Sequence, residues 1–294
     1  MNLFLNAFLL TLTVLTTGSI SSQKTDLELH LKKGETYKMK MEMGNIVDQE
    51  MMGNKVHIDQ KITTETELKV EDILANGNYL IGQTYKRVAM NVSSNGQSMS
   101  FDTDIKDAAS PLASLNDLKG ASIKYELSPK GDISNVTGID EILKNAGVLQ
   151  AKTISGIIDK DKLAGAFSYI PKNKIKEGDS YTKTIKLKEA MGIDVTTKYT
   201  VETLTKEKAS IKLSSDIEFK SDKPIEQNGM KMRMSGHGTQ SGMYRIDMKT
   251  GMPQSADTDQ DINMTVMMKN PQTGKDMAIP MKIKSLVKLS VTKR

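Results

Sequence analysis

Lys32-Lys33-Gly34-Glu35-Thr36-Tyr37-Lys38-Met39-Lys40-Met41-Glu42-Met43 decides the fold. From Tyr37 onward apolar and charged residues alternate one by one, the period of a strand with one face on a core and one in water. Gly34, just ahead of the run, suits the tight turn that delivers the chain into it. The alternation extends outward on both sides. Leu27, Leu29 and Leu31 alternate with Glu28 and His30, and Ile58, Ile62, Thr64, Thr66, Leu68 and Val70 share one face of a longer strand. Val88, Met90 and Val92 continue the pattern, then Ile123, Tyr125 and Leu127. Asn76-Gly77, Asn95-Gly96 and Pro129-Lys130-Gly131 punctuate the runs as turns.

The opening words recur. They return as Lys176-Glu177-Gly178-Asp179-Ser180-Tyr181, and two further echoes follow in the same order. Leu68-Lys69-Val70-Glu71 is answered by Tyr199-Thr200-Val201-Glu202, and Tyr125-Glu126-Leu127 by Tyr244-Arg245-Ile246. Three collinear matches predict a duplicated strand-rich unit. The second copy alternates again through Ile193, Val195, Thr197, Tyr199 and Val201, then Met230, Met232 and Met234, then Ile262, Met264, Val266 and Met268. Between the copies the period changes. Ile139, Ile142, Leu143 and Ala146 have helical spacing, Ile154, Ile157, Ile158 and Leu163 fit a second short helix, and Pro171 ends the insert.

The expected fold class is therefore mainly β (α+β): two duplicated antiparallel β units, as twisted sheets or half-barrels, joined by a short helical connector. The expected divisions are a signal peptide at 1–22, a first β unit at 23–138, the connector at 139–170 and a second β unit at 171–294. Two sheets, or one sheet with two-fold pseudosymmetry, both fit this reading.

The ends and the composition bound the setting. No charged side chain precedes Lys24, and residues 3–15 are apolar apart from Asn6, Thr11 and Thr13. That run is short for a membrane span and gives way to small residues, so it reads as a cleaved signal peptide with the cut after Ser21 or Ser22. The chain has no Cys. Disulfides, thiolate metal sites, a thiol nucleophile and a lipoprotein anchor are excluded, and export without disulfides points to a bacterial periplasm or exterior. No later stretch approaches the ~20 apolar residues of a membrane helix. The net charge of +5 is spread evenly, with five Phe, eight Tyr and no Trp, which argues against a nucleic-acid stripe.

Twenty methionines are the compositional oddity. Met39, Met41 and Met43 form one ladder, and Met230, Met232 and Met234 form another with His237 just beyond. Thioethers beside a His could hold a soft metal ion, but Lys residues interleave both ladders and would repel it. Flexible Met side chains on a curved sheet instead suit an adaptable apolar surface, so these six are the candidate ligand-binding residues. No metal and no cofactor is expected. Asp257-Thr258-Asp259-Gln260-Asp261 opens like a calcium loop, but Ile262 stands where Gly is needed and Met268 where the bidentate Glu belongs; it reads as an acidic strand face. Gly236-His237-Gly238 lacks the Lys-Ser/Thr of a phosphate loop and suits a bend or bulge. His30, His57 and His237 are far apart, and no Gly-x-Ser-x-Gly or His-Glu-x-x-His motif is present.

Several of these words together resemble a family of exported bacterial proteins, of Bacteroidetes type, known as domain of unknown function 6263. The resemblance rests on residues 29–37 with Gly34, Glu35 and Tyr37, on Leu127-Ser128-Pro129-Lys130-Gly131 leading to Val136-Thr137-Gly138, on the helical insert, and on Gly178-Asp179-Ser180-Tyr181. It implies an envelope or secreted location and assigns no functional residues. Members often carry a lipoprotein Cys; this chain lacks one, which implies soluble release. The expectation is a non-enzymatic envelope protein whose partner is a hydrophobic small molecule, a lipid or an envelope protein. The alternatives are a hydrolase with a site assembled from distant residues, or a purely structural envelope protein.

Overall fold

The computed structural model describes residues 24–51, 53–105, 113–145, 163, 165–187, 193–220, 224–227, 230–269 and 274–294. Alternation becomes strand throughout. The strands are β1 (Thr36–Met51), β2 (Asn54–Ile73), β3 (Tyr79–Ser94), β4 (Gln97–Asp102), β5 (Ser122–Leu127), β6 (Ile133–Thr137), β7 (Ser180–Leu187), β8 (Ile193–Leu204), β9 (Lys208–Lys220), β10 (Ile225–Gln227), β11 (Met230–Asp247), β12 (Pro253–Lys269) and β13 (Asp276–Lys293). All thirteen belong to one open antiparallel sheet, ordered β7-β8-β9-β11-β12-β13-β1-β2-β3-β5-β6, with β4 on β3 and β10 on β11. One continuous sheet thus replaces the alternative of two. β13 runs beside β1 and joins the later strands to the earlier ones. The matched strands follow in the same order, β7-β8-β9-β11 and then β1-β2-β3-β5, whereas a two-fold axis would reverse one half. That pseudosymmetry is corrected.

Of the expected connector, the described residues include one seven-residue helix, α1 (Ile139–Asn145), and turns through 166–169; the expected second helix at Ile154, Ile157, Ile158 and Leu163 lies outside the described residues except for Leu163, and the signal peptide lies outside them too. Among the described residues no helix is long and apolar enough to cross a membrane.

The repeated word has the same hydrogen bonds in both places. Gly34 N–H donates to Val70 O at 2.8 Å and Val70 N–H to Glu35 O at 2.9 Å; Gly178 N–H donates to Val201 O at 2.8 Å and Val201 N–H to Asp179 O at 2.9 Å. The Glu35 and Asp179 carboxylates each accept the N–H three residues back, from Lys32 and Lys176, both at 3.1 Å. A bulge follows each Val, before Asp72 and before Thr203. These residues are a corner that feeds a strand, which fits their spacing.

The segment holding Leu27, Leu29 and Leu31 is extended but is not a sheet strand. It touches Ile175 through one bridge at Thr25. Leu29 N–H donates to Pro129 O in the β5–β6 turn, and His30 N–H to Thr250 O in the β11–β12 turn. Those turns lie six strand spacings apart, ~29 Å in a flat sheet. Adjacent residues reach both only because the sheet curls around them. One buried cluster accordingly combines Leu68, Ile81 and Tyr125 from one side of the sheet with Tyr199, Val201 and Ile211 from the other, around Leu27, Leu29, Leu31, Tyr169 and Ile170. The alternation of the leucines was a sound signal of burial and a wrong signal of pairing. With turns on both sides supplying acceptors, the segment forms no ladder.

Candidate functional site

Antiparallel partners share a face, so register sorts the central side chains. On β1 the inner face carries Tyr37, Met39, Met41, Met43, Asn45 and Val47; Tyr37 pairs with Lys293 at the end of β13, and the other five lie opposite Val291, Leu289, Val287, Ser285 and Ile283. The outer face is charged. Lys288 lies opposite Asp257 and Lys284 opposite Asp261, and Arg245 reaches Asp257 at 2.9 Å. The acidic stretch considered for calcium is therefore continuous strand with cross-strand cations, a stabilising arrangement for a solvated face.

The inner face changes along the strands. Near the buried cluster around Leu27, Leu29 and Leu31 it is closed by Tyr37, Leu68 and Val291. Farther along, Met41, Met43, Val47, Ile58, Ile62, Val287, Ile283 and Ile262 are half-buried. Between the apolar rows runs a polar one. Gln60, Asn45, Ser285, Gln260, Gln240 and Ser215 face one another in register across β2, β1, β13, β12, β11 and β9. Asn45 Nδ2 donates to Gln60 Oε1 at 3.1 Å, and Ser215 Oγ to Thr197 Oγ1 at 2.8 Å. Lys183, opposite Thr197, ends the row; burial lowers its ammonium below the ordinary lysine range, with Asp132 opposing and Lys172 adding to the shift. Gly238 and Gly242 sit where β11 and β12 approach closely: a Cβ would lie 2.6 Å from Asp261 O and 2.2 Å from Asp257 O. Register is continuous through this stretch, so its glycines serve close approach and not the expected bulge.

The outer face holds a groove of about 1210 Å³. Its floor includes His57, Asp48, Lys282, Asn263, His237 and Glu218, again one register row. His57 Nδ1 lies 2.7 Å from Asp48 Oδ1, and both side chains are largely exposed. His57 and His237 are four strand spacings apart, ~19 Å along the sheet, and His30 is elsewhere, 4.0 Å from Glu28. The three histidines do not converge.

The sequence profile of a family of unknown function (DUF6263) matches residues 76–253, more than half of the chain. The chain belongs to that family. In this DUF6263 protein the match runs from the β2–β3 turn to the first residue of β12, leaving β1, β2 and β13 outside it. Comparison with curated protein sequences finds no match. Among solved structures, one of lipid–protein interactions in lipovitellin is similar at 11% identity and a TM-score of 0.49, over 90% of this chain and 25% of that one. The DUF6263 chain thus spans a quarter of the lipovitellin chain. An outer membrane channel from Pseudomonas putida F1 is similar at 10% identity and a TM-score of 0.26, over 92% of this chain and 99% of that one.

The structure of the DUF6263 protein places the six candidate methionines in two separate groups. Met39 packs on the buried cluster, with Met41 and Met43 half-buried beyond it. Met232 and Met234 lie on the same face of β11, opposite Met268 and Val266, while Met230 begins that strand. Met43 shares its row with Gly242, eight residues along β11 from Met234, so the ladders stand ~27 Å apart along the strands. His237 has the opposite parity to Met232 and Met234 and points to the other face. The polar row joins none of the residues expected from sequence. Its signal was one polar residue on the inner face of each strand, among apolar, glycine and threonine neighbours, visible as a row only once register is known.

Proposed function

We propose that this is an exported, non-enzymatic envelope protein that holds an apolar, lipid-like ligand on the inner face of its curled sheet. The observation carrying this is the half-buried apolar surface of Met41, Met43, Ile62, Val287, Ile58, Val47 and Ile283 beyond the buried cluster at Leu27, Leu29 and Leu31, backed by a mainly charged outer face. Apolar surface left part-open on a face that is fully buried farther along the same strands favours an occupant. Met39 floors the site, Met41 and Met43 line it, and Met232 and Met234 stand at its far rim, where flexible thioethers adapt to different chains. The uncharged N-terminal run supports export, the absence of Cys favours a bacterial envelope over a eukaryotic secretory setting, and the resemblance supports a Bacteroidetes-type origin.

We also infer that residues 23–138 and 171–294 are duplicated units with a helical connector at 139–170. The recurring corner hydrogen bonds, the recurring bulge and the common strand order support this. So do the matched turns at Gly131 and Gly251, which both pack against the interior. A hydrolase gains less support, because the His57–Asp48 pair lies across the groove from His237 and Ser235 rather than beside them. Native mass spectrometry of gently purified protein tests the binding reading. The expected spectrum shows a discrete extra mass that organic extraction removes. A spectrum at the polypeptide mass alone, before and after extraction, contradicts it.

A further inference from the structure

We propose that the ligand is a neutral lipid whose ester or amide link lies between two hydrocarbon segments and is held by the row Gln60, Asn45, Ser285, Gln260 and Gln240. This rests on the binding reading above and names the ligand class. The row is flanked on one side by Ile62, Met43 and Val287 and on the other by Ile58, Val47 and Ile283, so hydrocarbon is accommodated on both sides. Five strands each place one uncharged hydrogen-bonding side chain at the same level. Amides and hydroxyls offer both donors and acceptors, which suits a carbonyl and its neighbouring oxygen or N–H. A carboxylate or phosphate at this level would be desolvated without a counter-charge, since the row's one cation, Lys183, stands at its far end beyond Ser215 and Thr197.

Two further observations point the same way. The side chains of Gln260 and Ser285 make no hydrogen bond among the described residues, although both are half-buried. Thr64, 5% exposed on the same face of β2, has a hydroxyl with no partner among the described residues. Buried polar groups are ordinarily paired, which makes the Thr64 hydroxyl, four residues along β2 from Gln60, an exception; Gln260 and Ser285 are open enough for a bound molecule to supply their partner.

Decyl decanoate and heneicosane differ by the ester within chains of nearly equal length, so they separate the two claims. Each is titrated against the full protein carrying the neutral dye N-phenyl-1-naphthylamine, and displacement is read by fluorescence. The ester is expected to bind about tenfold more tightly than the alkane, the worth of one or two neutral hydrogen bonds. The paired change Gln240→Leu and Gln260→Leu is expected to erase that ratio while leaving heneicosane binding in place. Equal binding of ester and alkane by the unmodified protein overturns the link assignment and leaves the apolar-ligand reading standing. Preference for the decanoate anion also overturns it. Failure of both probes to bind overturns both readings.

Discussion

Gly251→Ala is expected to destabilise the protein by about 4 kcal/mol or more, and Gly178→Ala by only about 1–2 kcal/mol. Both glycines have positive φ, 71° and 85°, where an L side chain is strained whatever surrounds it. They differ in what a methyl group would meet. At Gly178 nothing lies within 4 Å, so the cost is the backbone strain alone. At Gly251 the Cβ would sit 2.1 Å from Glu28 O and 3.0 Å from Leu29 Cα, both backbone. The clash is relieved by moving the segment that carries Leu27 and Leu29 into the interior, each 1% exposed. Partial loss of burial worth about 1.5–3 kcal/mol per side chain then adds to the strain. Denaturant unfolding of the two variants checks this. Equal, small losses would mean that residues 27–31 are an appendage and do not hold the sheet curled.

Tyr169→Ala is expected to cost about 4–5 kcal/mol, and Tyr169→Phe about 1–2 kcal/mol. Tyr169 is fully buried where the two sides of the sheet meet. Its ring stacks on Tyr244 with centroids 4.9 Å apart, and its hydroxyl donates to Gly251 O at 2.7 Å. Its own carbonyl accepts the Tyr181 hydroxyl, while Tyr181 stacks on Tyr199 at 5.2 Å. The Phe variant removes one hydroxyl and leaves Gly251 O without that donor; the Ala variant also leaves a ring-sized cavity. Burial raises the Tyr169 phenol well above its ordinary value, with the nearby Tyr244 and Tyr181 adding to the shift. A phenol so raised contributes stability that is complete below pH ~10 and is lost as pH climbs toward the folded value. The alkaline limb of unfolding should therefore flatten in Tyr169→Phe. A Phe variant as damaging as Ala would place the energy in the hydroxyl network rather than in packing.

How far the sequence could be read follows from what sets each feature. Period-two alternation marked strands from Tyr37 onward because burial of one face is a local property of spacing. It misassigned Leu27, Leu29 and Leu31 as a sheet strand because pairing needs a neighbour, and their neighbours are turns brought together by the curl of the sheet. Lys-Gly-Glu-Thr-Tyr was legible as a corner, since the backbone groups of Gly34 and Glu35 are satisfied by β2 and Lys32, although the Glu35 carboxylate also reaches Lys293 on β13. The candidate site was legible only in part. Met41 and Met43 lie on the expected face, but the distance between the two ladders depends on β13 and β12 standing between β1 and β11. The polar row was invisible for the same reason. Asn45, Gln60, Ser285 and Gln260 each look like an ordinary polar residue in a mixed strand, and only register makes the four a line.

The most direct test of ligand binding on the inner face uses the absence of Trp from the chain. Val287→Trp places a sole indole on the inner face beside Met43, and Lys288→Trp places one on the outer face next door. Each variant is titrated with an ester of a dibrominated long-chain acid, whose bromines quench an indole they touch. The account predicts saturable quenching in Val287→Trp and none in Lys288→Trp. Quenching confined to the Lys288→Trp variant, or equal in both, would contradict it.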